Sequence, residues 1–387
     1  MRSVGIMQYW AGCPQTPNSK WQRFVRIVQA CAERGWRTYL VWSSMPENAD
    51  LSKPFLDCGC KILLLPRAQG NFDLRCVFQT YRLLRRYRCN IVHCHNVHTS
   101  PLIGATLAGV PVRIWSKLAM SSYYELGISP RGLHRWHVST RLSCALAHRT
   151  LCISTAVRDE LLAIGIPGGK LTVILQPVDL ARYQHSRPGA IREALGLQPQ
   201  DVVLTAVGHA VPVKGWDIAI RALADVRRSV PGVHLVLVGS TSSPEESQFA
   251  QRLRQLIQAL SLEGAVHFLG RRADVAEILA ASDIFLFPSR SEGQGLALTE
   301  AMAAGLPCVA ARVGGIVDLI ADGDNGLLFP REDPQALAQA LVTLANNEPM
   351  RTRLGAAGRA SVVRLDLKPG AERMVGLYES LVDGKKR

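Results

Sequence analysis

Short apolar runs alternate with longer, helix-like segments along the whole chain. Runs at 38–42, 61–65 and 112–117 have the length of buried strands, and the segments between them repeat apolar residues three and four positions apart, as helices do. The alternation starts again at 202–207. Because strands joined by helices pair in parallel, the pattern predicts an α/β chain with two parallel sheets, each covered by helices on both faces.

The alternation divides the chain into two predicted domains, 1–181 and 182–367, followed by a last helix over 368–387. A chain of 387 residues with 48% hydrophobic content is long enough to form two cores. It has no apolar run of about 18 residues and no signal-peptide pattern. We therefore expect a cytoplasmic protein whose ten cysteines are reduced.

One predicted helix, 71–88, combines an apolar stripe with a basic end. The residues expected to be buried are Leu74, Val77, Phe78, Tyr81 and Leu84. The basic residues of its last turns are Arg82, Arg85, Arg86 and Arg88. Such a basic end stabilises the negative pole of the helix dipole and solvates the surface, and it also suits a patch that faces a membrane. Both interpretations stay open.

Positive charge is concentrated in the first domain. The chain has 45 Lys and Arg against 31 Asp and Glu, a net charge of +14, and residues 1–181 hold 22 against 9, a net of +13. A predicted helix over 129–147 adds Arg131, Arg135 and Arg141 around Trp136. The asymmetry predicts an anionic partner for this domain, either a membrane surface on which the protein is peripheral or a phosphorylated acceptor. Nucleic acid is the least favoured partner, because no nucleic-acid-binding motif accompanies the charge.

A strand-to-helix turn near residue 294 is the strongest candidate for a binding site. The apolar run Ile284–Phe287 predicts a buried strand, and a helix is predicted over 296–304. The glycines of the turn allow close approach, and the free N–H groups and positive pole of a helix start attract phosphate. Glu292 and Glu300 flank the turn. Because phosphate repels carboxylates, both are expected to accept hydrogen bonds from hydroxyl groups instead.

Glu292 and Glu300, with seven residues between them, are followed by Gly305-x-Pro307 and by Gly314-Gly315. The series resembles the E-x7-E region of the retaining GT-B glycosyltransferases of family four, the glycosyl transferases group 1. The resemblance implies that Glu292 meets the donor sugar and that Glu300 meets the nucleotide ribose. It also implies the GT-B fold, in which two Rossmann-like, doubly wound domains face a cleft and the last helix, here 368–387, crosses back to the first domain.

The resemblance assigns the donor diphosphate to two segments. The turn residues on the first side are Gly293, Gly295 and Leu296. On the second side, the predicted strand 202–207 is followed by Gly208, His209 and Lys214, where the family pattern G-R-x-x-x-x-K has Arg at the position of His209. Lys214 and the start of the helix after the turn are expected to stabilise charge that develops on the β-phosphate.

The first domain departs from the family pattern. Its first loop has one glycine, Gly12, where family members commonly have two, and Lys117 ends a strand where the family often has a His near the reacting sugar. Both are acceptor-side candidates, and His95, which ends a neighbouring strand, is a catalytic candidate. The segment 93–98 contains three His and one Cys, but tetrahedral metal sites use ligands that are further apart in sequence. No metal is predicted.

The resemblance implies retaining transfer of a hexosyl group from a UDP- or GDP-type nucleotide sugar to an unidentified acceptor, anionic or lipid-linked, in cell-surface polysaccharide or glycolipid synthesis. The proposed catalytic residues are Lys214, Glu292 and His95, and no cofactor is expected. A sugar-nucleotide epimerase and a catalytically silent nucleotide-sugar-binding protein are the alternatives. A nicotinamide enzyme is disfavoured, because no G-x-G-x-x-G follows a predicted strand.

Overall fold

The computed structural model describes residues 4–10, 12–16, 19–70, 72–95, 99–120, 130–188 and 190–384, and within its helix at 130–146 the side chains from residue 138 onward. The chain forms two compact units. One comprises Met1–Val178 together with Leu365–Arg387, and the other comprises Asp179–Arg364. The C-terminal segment is therefore part of the first unit.

The first unit contains a sheet in which the described strands are all parallel, in the order β3-β2-β1-β4-β5-β6-β7. The strands are β1 Gly5–Trp10, β2 Arg37–Trp42, β3 Lys61–Leu64, β4 Ile91–His95, β5 Val112–Lys117, β6 Arg149–Cys152 and β7 Leu171–Val173. The helices are α1 Ser19–Glu33, α2 Lys53–Asp57, α3 Leu74–Tyr87, α4 Ser100–Leu107, α5 Pro130–Leu146, α6 Thr155–Ala163 and the C-terminal helix Leu367–Asp383.

Helices cover both faces of this sheet, because successive strand residues point to opposite sides. Ile6 and Ile91 belong to a core that includes residues of α1 and of the C-terminal helix. Met7 and Val92, the next residues along the same strands, belong to a second core that includes residues of α3, α4 and α6. The sheet is therefore doubly wound, with an apolar core on each side.

The second unit repeats this architecture with the described strands in the order β10-β9-β8-β11-β12-β13, again all parallel. Its strands are β8 Val202–Val207, β9 Val233–Val238, β10 Val266–Gly270, β11 Ile284–Phe287, β12 Cys308–Ala311 and β13 Leu327–Phe329. Its helices are α7 Leu180–Gln184, α8 Ile191–Ala194, α9 Trp216–Ser229, α10 Pro244–Ala259, α11 Val275–Ala280, α12 Leu296–Ala304, α13 Pro334–Ala345 and α14 Glu348–Val362. The prediction of two parallel-sheet, Rossmann-like domains is confirmed.

Helix α3 does not bury the stripe expected from its sequence. Leu74 is 81% exposed and Phe78 is 58% exposed, so the prediction was wrong for these two residues. The buried residues are Cys76, Val77, Thr80 and Leu84. The reason is the neighbouring helix α4, which approaches so closely that a Cβ atom on Gly104 would lie 2.6 Å from the carbonyl oxygen of Val77. Only a helix face with small side chains can pack this closely against α4. The face with Cys76 and Thr80 is therefore buried, and Leu74 and Phe78 are exposed.

A buried hydrogen-bond chain joins the C-terminal helix to the first sheet. The Gln8 Nε2 atom donates to the Tyr378 hydroxyl at 3.0 Å, and that hydroxyl lies 2.7 Å from His93 Nδ1. His93 Nε2 lies 2.6 Å from the Ser116 hydroxyl. Burial lowers the pKa of His93 to about 3, so the imidazole is neutral at physiological pH. The chain satisfies polar groups that would otherwise be unpaired in the core.

We expect Tyr378→Phe to lower the free energy of unfolding by about 1–3 kcal/mol, because Gln8 Nε2 and His93 Nδ1 would lose their buried partner. Tyr81→Phe is the matched control. Tyr81 is half-buried in the same unit, and its hydroxyl has no hydrogen-bond partner in the described part of the chain, so its loss is expected to change stability by less than about 0.5 kcal/mol. Urea denaturation measures both, and equal losses would contradict the role of the network.

Candidate functional site

The predicted strand-to-helix turn lies at the carboxyl edge of the second sheet. β11 ends at Phe287 and α12 starts at Leu296, as expected. Gly295 precedes the helix with φ 85° and makes no side-chain capping bond. Because the first N–H groups of a helix have no acceptor within it, this end can bind an anion. β11 neighbours β8 at the point where the strand order reverses, which is where doubly wound sheets bind ligands.

Lys214 and Glu292 form an ion pair beside this turn. Lys214 belongs to the short 3-10 helix Pro212–Lys214 after β8, and its Nζ donates to Glu292 Oε2 at 2.6 Å. Both side chains are largely buried, at 22% and 18% exposure. The two residues lie 78 positions apart in sequence. The arrangement places one cation and one carboxylate next to a helix start, which can serve a ligand that carries both phosphate and hydroxyl groups.

Arg290 holds the Lys214 segment in place. Its guanidinium donates two hydrogen bonds to Asp217, at 2.9 and 2.8 Å, and it also bonds Glu332. Its backbone N–H donates to the Val213 carbonyl at 2.8 Å. Hydrogen bonding to Asp217 raises the pKa of Arg290, so its charge is permanent. Arg290 therefore acts as a positioning residue for the cation of the site.

The position of Glu292 depends on a second loop, the 3-10 helix Gly314–Asp318 after β12. The Gly315 N–H donates to the Glu292 carbonyl oxygen at 3.1 Å. A Cβ atom on Gly314 would lie 2.0 Å from the same oxygen, and Gly314 also has φ 46°, which other residues rarely adopt. The loop can pack against Glu292 only because residue 314 has no side chain.

His209 has a partner that the sequence analysis did not anticipate. Its Nδ1 lies 2.7 Å from Glu246 Oε1, and its side chain is 69% exposed. Glu246 also accepts from the Ser240 hydroxyl and closes a capping box with Ser243 at the start of α10. The Ser243 backbone N–H, the Ser240 hydroxyl and His209 together lower the pKa of Glu246 to about 2. The carboxylate stays ionised and orients the imidazole, and a diphosphate contact by His209 stays a prediction.

The other predicted residues on this side lie where expected in the fold. Gly208 follows β8, and the aliphatic part of Lys214 lies next to it, so that a Cβ atom there would be 3.4 Å from Lys214 Cγ and Cδ. Gly293 is buried in the turn, and Leu296 is the first residue of α12. Glu300 is half-buried one turn further along the helix. Its contact with a ribose stays a prediction.

The candidates of the first unit differ in their surroundings. Gly12 lies half-buried in the loop after β1, and its N–H donates to the Trp10 carbonyl. Lys117 was expected to face the acceptor, but its side chain is 1% exposed, 3.5 Å from Glu160 and hydrogen-bonded to the Ala119 carbonyl. Burial lowers the pKa of Lys117, and Glu160 opposes that effect. Glu160 stabilises this charge inside the unit, and an acceptor-side role for Lys117 stays a prediction.

His95 is buried and its Nε2 lies 2.7 Å from Gln8 Oε1. Burial lowers the pKa of His95 well below its usual value, and the neighbouring charges of Arg23 and Lys20 act in the same direction. The ring is therefore neutral at physiological pH. Its catalytic role stays a prediction, and His98 and the side chains of the basic segment 131–137 lie outside the described residues.

The described ranges lack a metal-binding cluster and a membrane-spanning helix. No three His, Cys, Asp or Glu side chains in those ranges lie close enough together to hold a metal ion. None of the helices there combines the length and the hydropathy that a membrane span requires.

Two family models match the sequence. The model described as glycosyl transferases group 1 matches residues 189–361, and the model described as glycosyltransferase family 4 matches residues 22–182. The chain belongs to the group 1 glycosyl transferases. The first model covers Lys214, Glu292 and Glu300, and the second covers His95 and Lys117.

Two relatives and one solved structure illustrate the similarity. The D-inositol 3-phosphate glycosyltransferase of Segniliparus rotundus is 31% identical over 56% of this chain but only 48% of its own length, so the match spans about half of that relative. The UDP-Gal:α-D-GlcNAc-diphosphoundecaprenol α-1,3-galactosyltransferase of Escherichia coli is 26% identical over 86% of this chain and 87% of its own. The structure of Anabaena HepE in complex with UDP and glucose has a TM-score of 0.80, 22% identity and coverage of 97% and 100%. The GT-B fold class predicted from the sequence is confirmed.

Sequence reasoning missed three residues that shape the site of this glycosyl transferase. The sequence around Arg290 and Glu246 does not indicate that they contact Asp217 and His209. The Ser243-x-x-Glu246 spacing does indicate the start of a helix. Gly314 was recognised as part of the motif, but no role was assigned to it. All three residues position a group that sequence reasoning did identify.

We expect Gly314→Ala to lower the free energy of unfolding more than its matched control, Gly323→Ala. Both glycines have positive φ, 46° and 82°, but a Cβ atom on Gly323 meets nothing within 4 Å. Backbone strain costs each variant about 1–2 kcal/mol, and the clash with Glu292 adds about 1–3 kcal/mol at position 314. Urea denaturation tests this difference, and equal stabilities of the two variants would show that the loop tolerates a side chain.

Proposed function

We propose that this protein transfers a sugar from a nucleoside-diphosphate sugar to an acceptor, with retention of the anomeric configuration. The observation that carries the proposal is the Lys214–Glu292 pair beside the uncapped start of α12. Lys214 and the helix N–H groups suit the diphosphate, and Glu292 suits the hydroxyls of the sugar. The names of the relatives support a glycosyltransferase activity, and the HepE complex supports a UDP-type donor.

The proposed reaction needs charge stabilisation more than proton transfer. The bond between the anomeric carbon and the β-phosphate oxygen breaks, and its electron pair stays on that oxygen, where Lys214 and the N-terminus of α12 stabilise the charge. The acceptor hydroxyl attacks from the same face of the sugar, and its proton passes to the departing phosphate. The proposal includes no metal and no cofactor. No proton transfer is assigned to His95 in this scheme, and its catalytic role stays a prediction.

In this proposal, ligand binding replaces the ion pair by new partners for Lys214 and Glu292. Without ligand, Lys214 is neutralised by Glu292. A diphosphate with two negative charges competes for the ammonium, and the carboxylate then turns to the sugar hydroxyls that arrive with it. The free nucleotide lacks the sugar, so it displaces Glu292 without giving it a new partner. The whole nucleotide sugar provides a new partner for each side chain, the diphosphate for Lys214 and the sugar hydroxyls for Glu292.

Three variants test these roles against one control. Lys214→Ala should lower turnover about 10²–10³-fold, the usual effect of losing one transition-state donor. Glu300→Gln should weaken free-nucleotide affinity about tenfold, since a charge-assisted bond to the ribose is lost. Glu292→Gln should reduce transfer but keep or improve free-nucleotide affinity, because it releases Lys214. The control is Glu263→Gln, at an exposed position.

Calorimetry with UDP and GDP, and mass spectrometry of products from a panel of nucleotide sugars, provide the measurements. A Glu292→Gln variant that loses free-nucleotide affinity as strongly as Glu300→Gln would remove the exchange from the mechanism. Isomerised donor would identify an epimerase, and binding without turnover would identify a silent nucleotide-sugar-binding protein. Either result would replace the proposed transfer.

We also propose that the first unit contacts an anionic membrane surface on the cytoplasmic side, with a lipid-linked acceptor. The exposed face of α3 carries Leu74 and Phe78, followed along the same side by Arg82 and Arg85. Arg82 lies 5.7 Å from the ring centroid of Phe78. Apolar and basic side chains on one helix face suit the boundary between lipid head groups and acyl chains. The relative from E. coli, whose name includes a diphosphoundecaprenol acceptor, supports this reading.

A triple substitution of Arg82, Arg85 and Arg86 by Gln should reduce binding to phosphatidylserine vesicles about a hundredfold, since each basic residue near the surface contributes about 1 kcal/mol. The control replaces three exposed arginines of the second unit, Arg221, Arg252 and Arg254, by Gln, with the same change in net charge. Co-sedimentation at low and high salt measures both. An equal loss in the control, or binding that salt does not weaken, would contradict a specific contact through α3.

A further inference from the structure

Arg23 is a buried cation without an anionic partner in the described part of the chain. It lies on α1 and is 5% exposed. Its guanidinium donates to the Gln176 side-chain oxygen and lies 5.7 Å from the ring centroid of Phe24, and no described carboxylate is within ion-pair distance. Burial lowers the pKa of Arg23 to about 10. A buried charge that no counter-ion stabilises is costly, so its place in the fold calls for an explanation.

Lys20, almost one turn earlier on α1, adds a second cation. Its Nζ lies 4.5 Å from the ring centroid of Trp10, and burial together with the charge of Arg23 lowers the pKa of Lys20 to about 8. It too has no ion pair with any described carboxylate. Lys117, an enclosed cation of the same unit, is neutralised by Glu160, whereas half-buried Arg113 donates to the carbonyl oxygens of Val110 and Leu146. Lys20 and Arg23 differ in that they place two enclosed positive charges about one turn apart on α1 with no described carboxylate paired to either.

A small cavity opens beside Arg23. Its polar wall is formed by Arg23, Ser116, Gln176 and His95, and the remaining wall is mainly apolar. Its volume is about 20 Å³, room for one water-sized group, so it fits an oxygen of a larger group whose remainder lies outside. His95 and Ser116 lie at the carboxyl ends of β4 and β5, and Gln176 follows β7. Ligands of doubly wound sheets bind at this edge.

We propose that Arg23 and Lys20 bind an oxyanion, the phosphate or carboxylate group of the acceptor, at the carboxyl edge of the first sheet. The inference rests on the proposed function in one respect, that the anion belongs to the second substrate of a transferase. Arg23 supplies a guanidinium fork, Lys20 supplies a second positive charge, and Ser116 and Gln176 supply polar groups at the rim. His93 and His95 are neutral and do not change the charge of the site.

The test measures the rise in melting temperature of the full chain on addition of inorganic phosphate, with calorimetry as the second readout. We expect Arg23→Gln to abolish the rise and to lower phosphate affinity at least about tenfold, as expected for loss of a charge-assisted bond. Arg26→Gln is the matched control, because it lies on the same helix, bonds only Gln29 among the described residues and changes the net charge equally. Lys214→Ala shows whether phosphate binds at the nucleotide site instead, because that variant would then lose the rise in melting temperature.

The proposal holds if Arg23→Gln loses the response to phosphate while Arg26→Gln and Lys214→Ala keep it. It is overturned if Arg23→Gln keeps the response, or if Lys214→Ala alone removes it. Should Arg23→Gln fail to fold, Lys20→Gln decides, with an expected several-fold loss of phosphate affinity. A Lys20→Gln variant with unchanged affinity would then leave Arg23 as a purely structural residue.

Two further titrations separate the possible sources of the anion and the two proposals. Methyl phosphate that binds as well as inorganic phosphate supports a group borne by the acceptor, whereas binding of inorganic phosphate alone assigns the site to a free anion and overturns the acceptor role. UDP or GDP affinity should be the same in Arg23→Gln and in the unmodified chain. Nucleotide binding without phosphate binding refutes the anion site alone, and phosphate binding without nucleotide binding refutes the proposed function alone.

Discussion

The site of the second unit depends on one backbone contact, the approach of the Gly314 α-carbon to the carbonyl oxygen of Glu292. No side chain fits between them, and the Gly315 N–H donates to the same oxygen. The contact determines where the Glu292 carboxylate lies, and from there it reaches Lys214. Because β8, β11 and β12 are neighbours in the sheet, the loops that follow them meet at one edge. The order of the strands therefore assembles the site, and the glycine makes the assembly sterically possible.

Charge is balanced differently at the two sheet edges. In the second unit, Lys214 is paired with Glu292 and Arg290 with Asp217, so the proposed anionic ligand would exchange with a carboxylate that is already present. In the first unit, Arg23 and Lys20 have no carboxylate partner among the described residues, so an anion would supply missing charge. This difference agrees with the sequence, in which 1–181 carries a net charge of +13 out of +14. Under the two proposals, anion binding is an exchange at one edge and an addition at the other.

The packing of α3 against α4 leaves two apolar residues of α3 exposed to solvent. The close approach of α4 at Gly104 selects a face with small side chains, Cys76 and Thr80, for the interior. Leu74 and Phe78 are then exposed on the same side as the arginines. An exposed apolar pair is common on protein surfaces, but its position next to a row of cations gives it an amphipathic character. That combination results from the neighbour of the helix rather than from its own periodicity.

The sequence by itself determined the features that depend on nearby residues. These are the two series of parallel strands and helices, the turn between β11 and α12, and the presence of Glu292 and Glu300 around it. Strand length, helical periodicity and the backbone freedom of glycine act over a few residues, so they can be recognised without tertiary contacts.

The tertiary structure decided which distant charges compensate each other. It pairs Lys214 with Glu292 across 78 positions, His209 with Glu246 across 37, and Arg290 with Asp217 across 73. It also buries Lys117 against Glu160 and leaves Arg23 without an acid among the described residues. The residue type shows that a side chain is charged. Whether the loss of its solvation is offset by a partner depends on which side chains the fold brings within a few ångströms. For this reason the strand-to-helix turn of the second unit could be located from sequence, whereas the electrostatic character of both sheet edges required the three-dimensional arrangement.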